Sequence, residues 1–393
     1  MLEIWLNESL EGIGRMFTYP FLYIALLMIW FASRARIKQE RKQFGMRLFP
    51  VFSEWKGTWR VSLIGGLFAS LLAVAGGLVM TVPLLLGLAV LLLVLSVFKN
   101  FTRISAAYTI GIAGLFLFAL PYLNGNFQWM EKAEVVAPPV LAILLSLMLF
   151  VEAFVLLRTS PDQTFPERSK GSRGMWIGQH RSKKMIVIPF FTLLPGGAIE
   201  PFAEWWPLLS VGGESYGLIL IPFVTGFEWV VKGQTPEKAG KAIGRHTFLL
   251  AGLVFAVAIA SIFWSSLVVA AFLISLIGRE WIYIRHRLRE EGSPFFSSTN
   301  SGLRILGIIP GSPAAQLELI PGDTIERVNG RPTRTEQQFY EALQANGGFN
   351  KLEVRDETGE KRYVQRAMYE GEHHEMGIVF VEPPVLEKSV GFF

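Results

Sequence analysis

The chain has 393 residues, 51% of them hydrophobic and only 18% charged, with a mean hydropathy of +0.39. Soluble domains carry about a quarter charged residues, so the balance points to residence in a membrane. Lys and Arg outnumber Asp and Glu by 37 to 32, and the absence of cysteine excludes disulfides, thiolate metal sites and a cysteine nucleophile.

The charge deficit is uneven. As far as Gly278, short charged clusters separate long apolar runs, whereas Arg279–Phe393 reads as an ordinary soluble sequence. A helix needs roughly 20 apolar residues to cross a bilayer. In chain order, spans are predicted at Phe17–Ala32, Val61–Val79, Val82–Phe98, Ile104–Leu123, Val135–Leu157, Met185–Ile199 and Trp206–Phe227. Met185–Ile199 is short and holds Pro189 and Pro195, which leaves a re-entrant or tilted segment open. Thr247–Ile277 is too long for one crossing and is expected to fold as two helices turning near "FWSS" (Phe263–Ser266). The total is about eight or nine spans in a polytopic α-helical membrane domain over residues 1–284. Gly65-Gly66, Gly76-Gly77 and Gly111 with Gly114 offer small faces for close helix packing. The first span lacks the basic lead-in and small-residue cleavage site of a signal peptide.

Basic residues gather in Ser33–Phe49, Arg168–Lys184, Lys232–Arg245 and Arg285–Arg289. Such clusters beside apolar spans act as orientation signals and as anchors for anionic lipid headgroups. They lack interleaved stacking aromatics, so nucleic acid is not an expected partner. The loops Asn124–Glu134 and Glu200–Trp206 are poor in Lys and Arg, and the alternation places the basic loops and the C-terminal domain in the cytoplasm. The acidic start "MLEIWLNESLEGIGR" leaves two options: an outside N-terminus, or an amphipathic helix lying in the interface.

Catalysis in the membrane half is not expected. Glu152 sits within a span with Arg158 nearby, and a structural role is the expectation. "GESYG" (Gly213–Gly217) fits G-x-S-x-G but opens a span with no histidine base beside it, so a tight turn explains its glycines. "EHHEM" (Glu372–Met376) has the letters of a zinc motif out of order. No cofactor or metal is expected.

The tail changes character. Residues 285–300 read as a connector, 301–385 as a domain and 386–393 as a short tail. "LRILGIIP" alternates like a strand, "GSPAA" gives a turn and helix start, and "IPGDTIERVNG" reads turn, strand, turn. Thr335 is an N-cap for a helix whose Phe339 and Leu343 share one face. A hairpin around "DETG" and a last apolar strand "MGIVFV" follow.

This order, with "GSPAA" and then "IPGDTIERVNG", resembles a PDZ domain: a small, mainly β, α/β fold. Gly311, Gly322, Asp323, Asn329 and Gly330 fall on its structural turns. "EMGIVF" stands at the end, as in the circularly permuted bacterial form. The resemblance implies an extended peptide added at a sheet edge. Met376, Gly377 and Ile378 would hold its carboxylate, Ile378–Val381 (Val379 included) would pair with it, and Tyr340 and Leu343 would line the facing helix. An ordinary core strand with no ligand is the alternative.

A multi-span body, the basic loop "RARIKQERKQF" and a single C-terminal PDZ domain together resemble the MinJ family of cell-division topological determinants. The resemblance implies a non-enzymatic scaffold at septa and poles, linking the polar and septal protein DivIVA to the division inhibitor MinD. An accessory subunit of a membrane protease or secretion system, and a transporter with a regulatory PDZ tail, are the alternatives.

Overall fold

A computed structural model describes residues 2–97, 101–120, 138–171, 174–203, 206–207, 215–299, 301–346, 349–367 and 376–381. The predicted outer loop Asn124–Glu134, Glu204, Glu214, the histidines of "EHHEM" and the tail 386–393 lie outside the described residues.

The body opens with α1 (Leu2–Arg15) and α2 (Phe21–Phe44), a pair bent by 50° that together is long and apolar enough to cross a membrane. Three shorter apolar helices follow: α3 (Trp59–Ala75), α4 (Val82–Ser96) and α5 (Ala106–Ala119). Helices α6 (Pro138–Leu157), α7 (Pro236–Phe263) and α8 (Leu267–Arg289) each meet the length and hydropathy a crossing requires. The break between α7 and α8 falls at Trp264–Ser266, as the "FWSS" expectation has it.

Two predicted spans are corrected. Met185–Ile199 and most of Trp206–Phe227 are not helices but the long strands β2 (Trp176–Ile199) and β3 (Tyr216–Val231), which with β1 (Phe165–Lys170) form an antiparallel sheet in the order β1-β2-β3. Both runs are rich in Ile, Val, Phe and Thr, which suit strands, and carry prolines that would break a helix. Pro189 stands opposite Pro222 in the register. Alternate antiparallel pairs turn their amides away from each other, so a proline pair there removes no ladder bond.

The ribbon runs through the middle of the body: Met185, Ile186, Ile188, Phe190, Ile219 and Ile221 share one core with α2 to α8. Its edges are closed by other parts of the body. On the β2 side, Met80 N donates to Leu193 O (2.8 Å), Leu193 N to Leu78 O (3.0 Å) and Phe191 N to Ser70 Oγ (2.8 Å). On the β3 side, Leu218 N donates to Glu8 Oε2 (3.2 Å), and Thr102 Oγ1 donates to Glu228 O (2.6 Å). Backbone groups left unpaired among apolar side chains are costly, so these bonds are a condition of the ribbon's burial in the core.

The small faces work in two ways. A Cβ on Gly65 would meet Val151 of α6 at 2.3 Å, and one on Gly114 would meet the Phe272 ring of α8 at 2.2 Å. Gly66, by contrast, packs against a strand: its Cβ would lie 2.1 Å from the carbonyl oxygen of Pro189. Gly76 caps α3 and Gly77 turns the chain with φ 66°.

Charges from one span and from the first basic cluster are interior. Glu152, fully buried, pairs with the equally buried Arg279 (3.3 Å) rather than with Arg158, and accepts from Ser105 Oγ, Ala106 N and Thr225 Oγ1. Its role is structural, as expected, with a different partner. Arg36 of the first basic cluster bonds Glu54 (2.8 Å) and Glu40 (2.6 Å) and is buried, whereas Arg34, Arg41, Lys42 and Arg47 stay exposed.

The C-terminal domain comprises β4 (Leu303–Ile308), β5 (Thr324–Val328), β6 (Arg331–Pro332), α9 (Glu336–Gln344), β7 (Phe349–Arg355), β8 (Lys361–Ala367) and β9 (Ile378–Phe380). Its sheet order is β8-β7-β5-β4-β9, with β6 on β5. Ile305, Ile325, Val328, Phe339, Leu343, Leu352 and Phe380 form its core. Gly311, Gly322, Asn329 and Gly330 all take positive φ (82°, 107°, 52° and 78°). Consecutive positive φ at Asn329-Gly330 is what the tight β5–β6 turn requires. Asp323 accepts from Ile320 N (3.0 Å) and pairs with Arg362, and Thr335 caps α9 by accepting from Gln338 N (3.2 Å).

The connector also needs correction. Arg285–Arg289 continue α8, and Phe295-Phe296 are seated rather than free. Phe296, Leu306, Val379 and Val381 form one apolar cluster with Leu48, Phe49 and Phe165 of the body. The domain is docked on the body, not hung from it.

Candidate peptide-binding site

The site is built from β9, the loop before it and α9. Among the described residues strand β9 is the last in the sheet order, and it pairs with β4 through Ile378↔Ile308, Val379↔Gly307 and Phe380↔Ile305. Ile309 N donates to Gly377 O (2.8 Å) and Val381 N to Arg304 O (3.3 Å). Strand alternation therefore turns the polar groups of Gly377, Val379 and Val381 toward β4, and those of Ile378 and Phe380 outward. That outward row is what an added strand would pair with.

Gly377 holds φ 78°, and a Cβ there would lie 2.2 Å from Ser312 Cβ, so the Met376-Gly377-Ile378 turn needs glycine on both counts. The Ser312 hydroxyl oxygen beside it is buried and has no hydrogen-bond partner among the described residues. Met376 is 1% exposed; its carbonyl accepts from Ala314 N (2.9 Å), so its side chain belongs to the core. Leu343 is likewise core. Tyr340 is half-buried, edge-to-face with Phe339 at 5.3 Å, and burial pushes its hydroxyl up to about 12, helped by nearby Glu336.

The body meets this site directly. Between Ile305 and Gly307 the β4–β9 register shifts, which makes Leu306 an extra residue in β4. Its carbonyl, outside the ladder, accepts from His180 Nε2 of β2 (2.7 Å), leaving Nδ1 to face the Thr164 hydroxyl (2.9 Å). Burial lowers the His180 pKa to about 4, so the ring is neutral. Gly178 N donates to Phe296 O (2.7 Å), and Gly178 and Gly307 lie so close to Leu306 and Pro166 that side chains there would collide. Arg168 of β1 reaches the outward carbonyl of Phe380 with Nη2 (2.9 Å) and Nε (3.2 Å), and its guanidinium lies 4.6 Å over the Phe44 ring.

Sequence reasoning missed these contacts. Arg168 reads as one more headgroup anchor and His180 as part of a basic loop. Only the strand assignment of 165–184 would have turned them toward a neighbouring domain.

These features define a class: apolar helices around a β-ribbon, carrying a PDZ domain at the C-terminal end. The family model for the PDZ domain matches residues 304–355, from β4 to β7, so β9 and the Gly377 turn lie beyond the matched segment. Along the whole chain, the sequence is 35% identical over 393 residues to the cell division topological determinant MinJ of Bacillus subtilis (strain 168), covering 98% of each protein. It is 25% identical over 370 residues to the probable cell division topological determinant MinJ of Lacticaseibacillus paracasei, covering 90% of this chain and 92% of that one. The chain belongs to the MinJ family of cell division topological determinants. No solved structure matches it significantly.

Proposed function

We propose that the protein is a non-enzymatic, multi-pass membrane scaffold of cell division, concentrated at septa and poles. Its PDZ domain, read as the circularly permuted form and facing the cytoplasm, docks an extended segment of a partner along β9. By this reading it links a DivIVA-like polar and septal protein to a MinD-like division inhibitor, keeping septa at the proper site. The observation that carries the proposal is the match along nearly the whole length of a relative named for division topology. The outward edge of β9 and the unpartnered Ser312 hydroxyl support the docking mode. Exposed Arg34, Arg41, Lys42 and Arg47 support a cytoplasmic basic face in contact with anionic headgroups.

Deleting the gene is expected to give long filaments with misplaced septa; normal septum spacing would refute the scaffold. Full-length protein is expected to retain partner proteins in a pull-down, and Gly377→Trp or Tyr340→Glu to lose them. Unchanged retention in both variants removes the groove. Because the chain has no cysteine, a single Phe393→Cys tests topology: an impermeant thiol reagent should label it only after lysis, and labelling of intact cells overturns the cytoplasmic placement.

A further inference from the structure

The body touches the one backbone edge of the PDZ domain that an incoming peptide needs. Arg168 donates two hydrogen bonds to Phe380 O, its Nη1 reaches Gln43 O (3.2 Å), and the residue is 8% exposed. A strand added antiparallel to β9, with its terminal carboxylate at the Gly377 turn, sets its last residue opposite Ile378 and the residue two places earlier opposite Phe380. The amide of that earlier residue needs the carbonyl that Arg168 already holds.

We infer that Arg168 is a lock on the PDZ groove: the body's guanidinium substitutes for the backbone donor of a bound peptide, so the hold of Arg168 on Phe380 O and full pairing of a peptide along β9 exclude each other. This rests on the peptide-groove reading above.

The open state has a place for the displaced cation. Glu336, at the start of α9 on the groove's facing wall, interacts with Arg168 through charge, and its Oε2 is buried with no hydrogen-bond partner among the described residues. Moving the guanidinium from Phe380 O to Glu336 keeps it compensated while freeing the strand. Without Glu336, displacement would strand a buried charge, which is costly. The two resting places of Arg168 make the pair a two-state element, which a peptide biases by binding only one state.

The test uses the full-length protein in lipid nanodiscs and a pooled library of heptapeptides with free C-termini. The tightest binder is then titrated against each variant. Arg168→Gln is expected to bind it at least tenfold more tightly than wild type, Arg168→Lys to fall between, and Glu336→Gln to bind it several-fold more weakly than wild type. Gly377→Trp in the Arg168→Gln background is expected to abolish binding, and Tyr340→Glu to weaken it. Wild type and Arg168→Gln agreeing within twofold, with Gly377→Trp still abolishing binding, overturns the lock and leaves the groove standing. Selection of no binder by any variant, Arg168→Gln included, overturns the groove and the lock with it.

Discussion

The body and the PDZ domain both contain a sheet whose edges need cover, and they cover them with different chemistry. In the body, the ribbon's edges are closed from within by Glu8, Ser70, Thr102 and the Leu78–Met80 segment. In the PDZ domain, β9 keeps an outward row, and a single cation from the other half of the molecule caps it at Phe380. The first arrangement is permanent, because breaking it would leave backbone groups unpaired among apolar side chains. On the proposed reading the second is exchangeable, since a bound strand offers the same donor. The contrast separates a part built to hold from a part built to let go.

The largest effect should come from breaking the body's buried ion pair. Glu152→Ala leaves Arg279 uncompensated and is expected to cost about 3–5 kcal/mol, whereas the double change Glu152→Leu with Arg279→Met should cost much less. Thermal unfolding in detergent checks both, and a single variant as stable as wild type would show that the pair holds nothing.

Acid tests the junction. Burial lowers the His180 pKa from 6.5 to about 4, so the folded protein binds fewer protons than the unfolded chain between those values. The stabilisation is complete above pH 6.5 and is lost as pH falls toward 4, at most about 3 kcal/mol in all. His180→Gln should flatten the dependence of the unfolding midpoint on pH over this window; an unchanged slope would contradict the assignment.

Close contact against the ribbon comes next. Gly66→Ala must push against the backbone of Pro189 and is expected to destabilise by about 1–3 kcal/mol. Gly87→Ala in α4, where a Cβ meets nothing within 4 Å among the described residues, should stabilise by about 0.5–1 kcal/mol. Equal shifts in the two melting curves would mean that α3 does not seat on the strand. A similarly small effect is expected for Thr335→Ala, about 1 kcal/mol from loss of the α9 cap, read as a shift in the denaturant midpoint.

The PDZ domain was legible because its signals are conformational. Asn329-Gly330, Gly322 and Gly377 mark places where the backbone needs positive φ, and no apolar pattern imitates that. The helix cap at Thr335 and the hairpin around "DETG" read out for the same reason. The ribbon was illegible because a strand buried on both faces loses its alternation and reads as an unbroken apolar run. Met185–Ile199 and Trp206–Phe227 thus passed for spans, although Pro189 and Pro222 spoke against helices. The partner of Glu152 was hidden for a simpler reason: Arg279 is far along the chain, and only the packing of α6 beside α8 brings it near. Of the site, Gly377 and the β9 strand could be read, while Arg168 and His180 could not, since their meaning depends on two halves meeting.

Strand β2 is 24 residues long, and at ~3.3 Å per residue its contour approaches roughly 80 Å, more than twice a ~30 Å hydrocarbon layer. One end lies under the PDZ domain at Trp176–Gly178, and the other lies beside α1 at Ile199. A tug on the docked domain along this strand therefore loads the ladder to β3 in shear, with many rungs sharing the force at once. The molecule carries a stiff internal strut from its docking face to its far side.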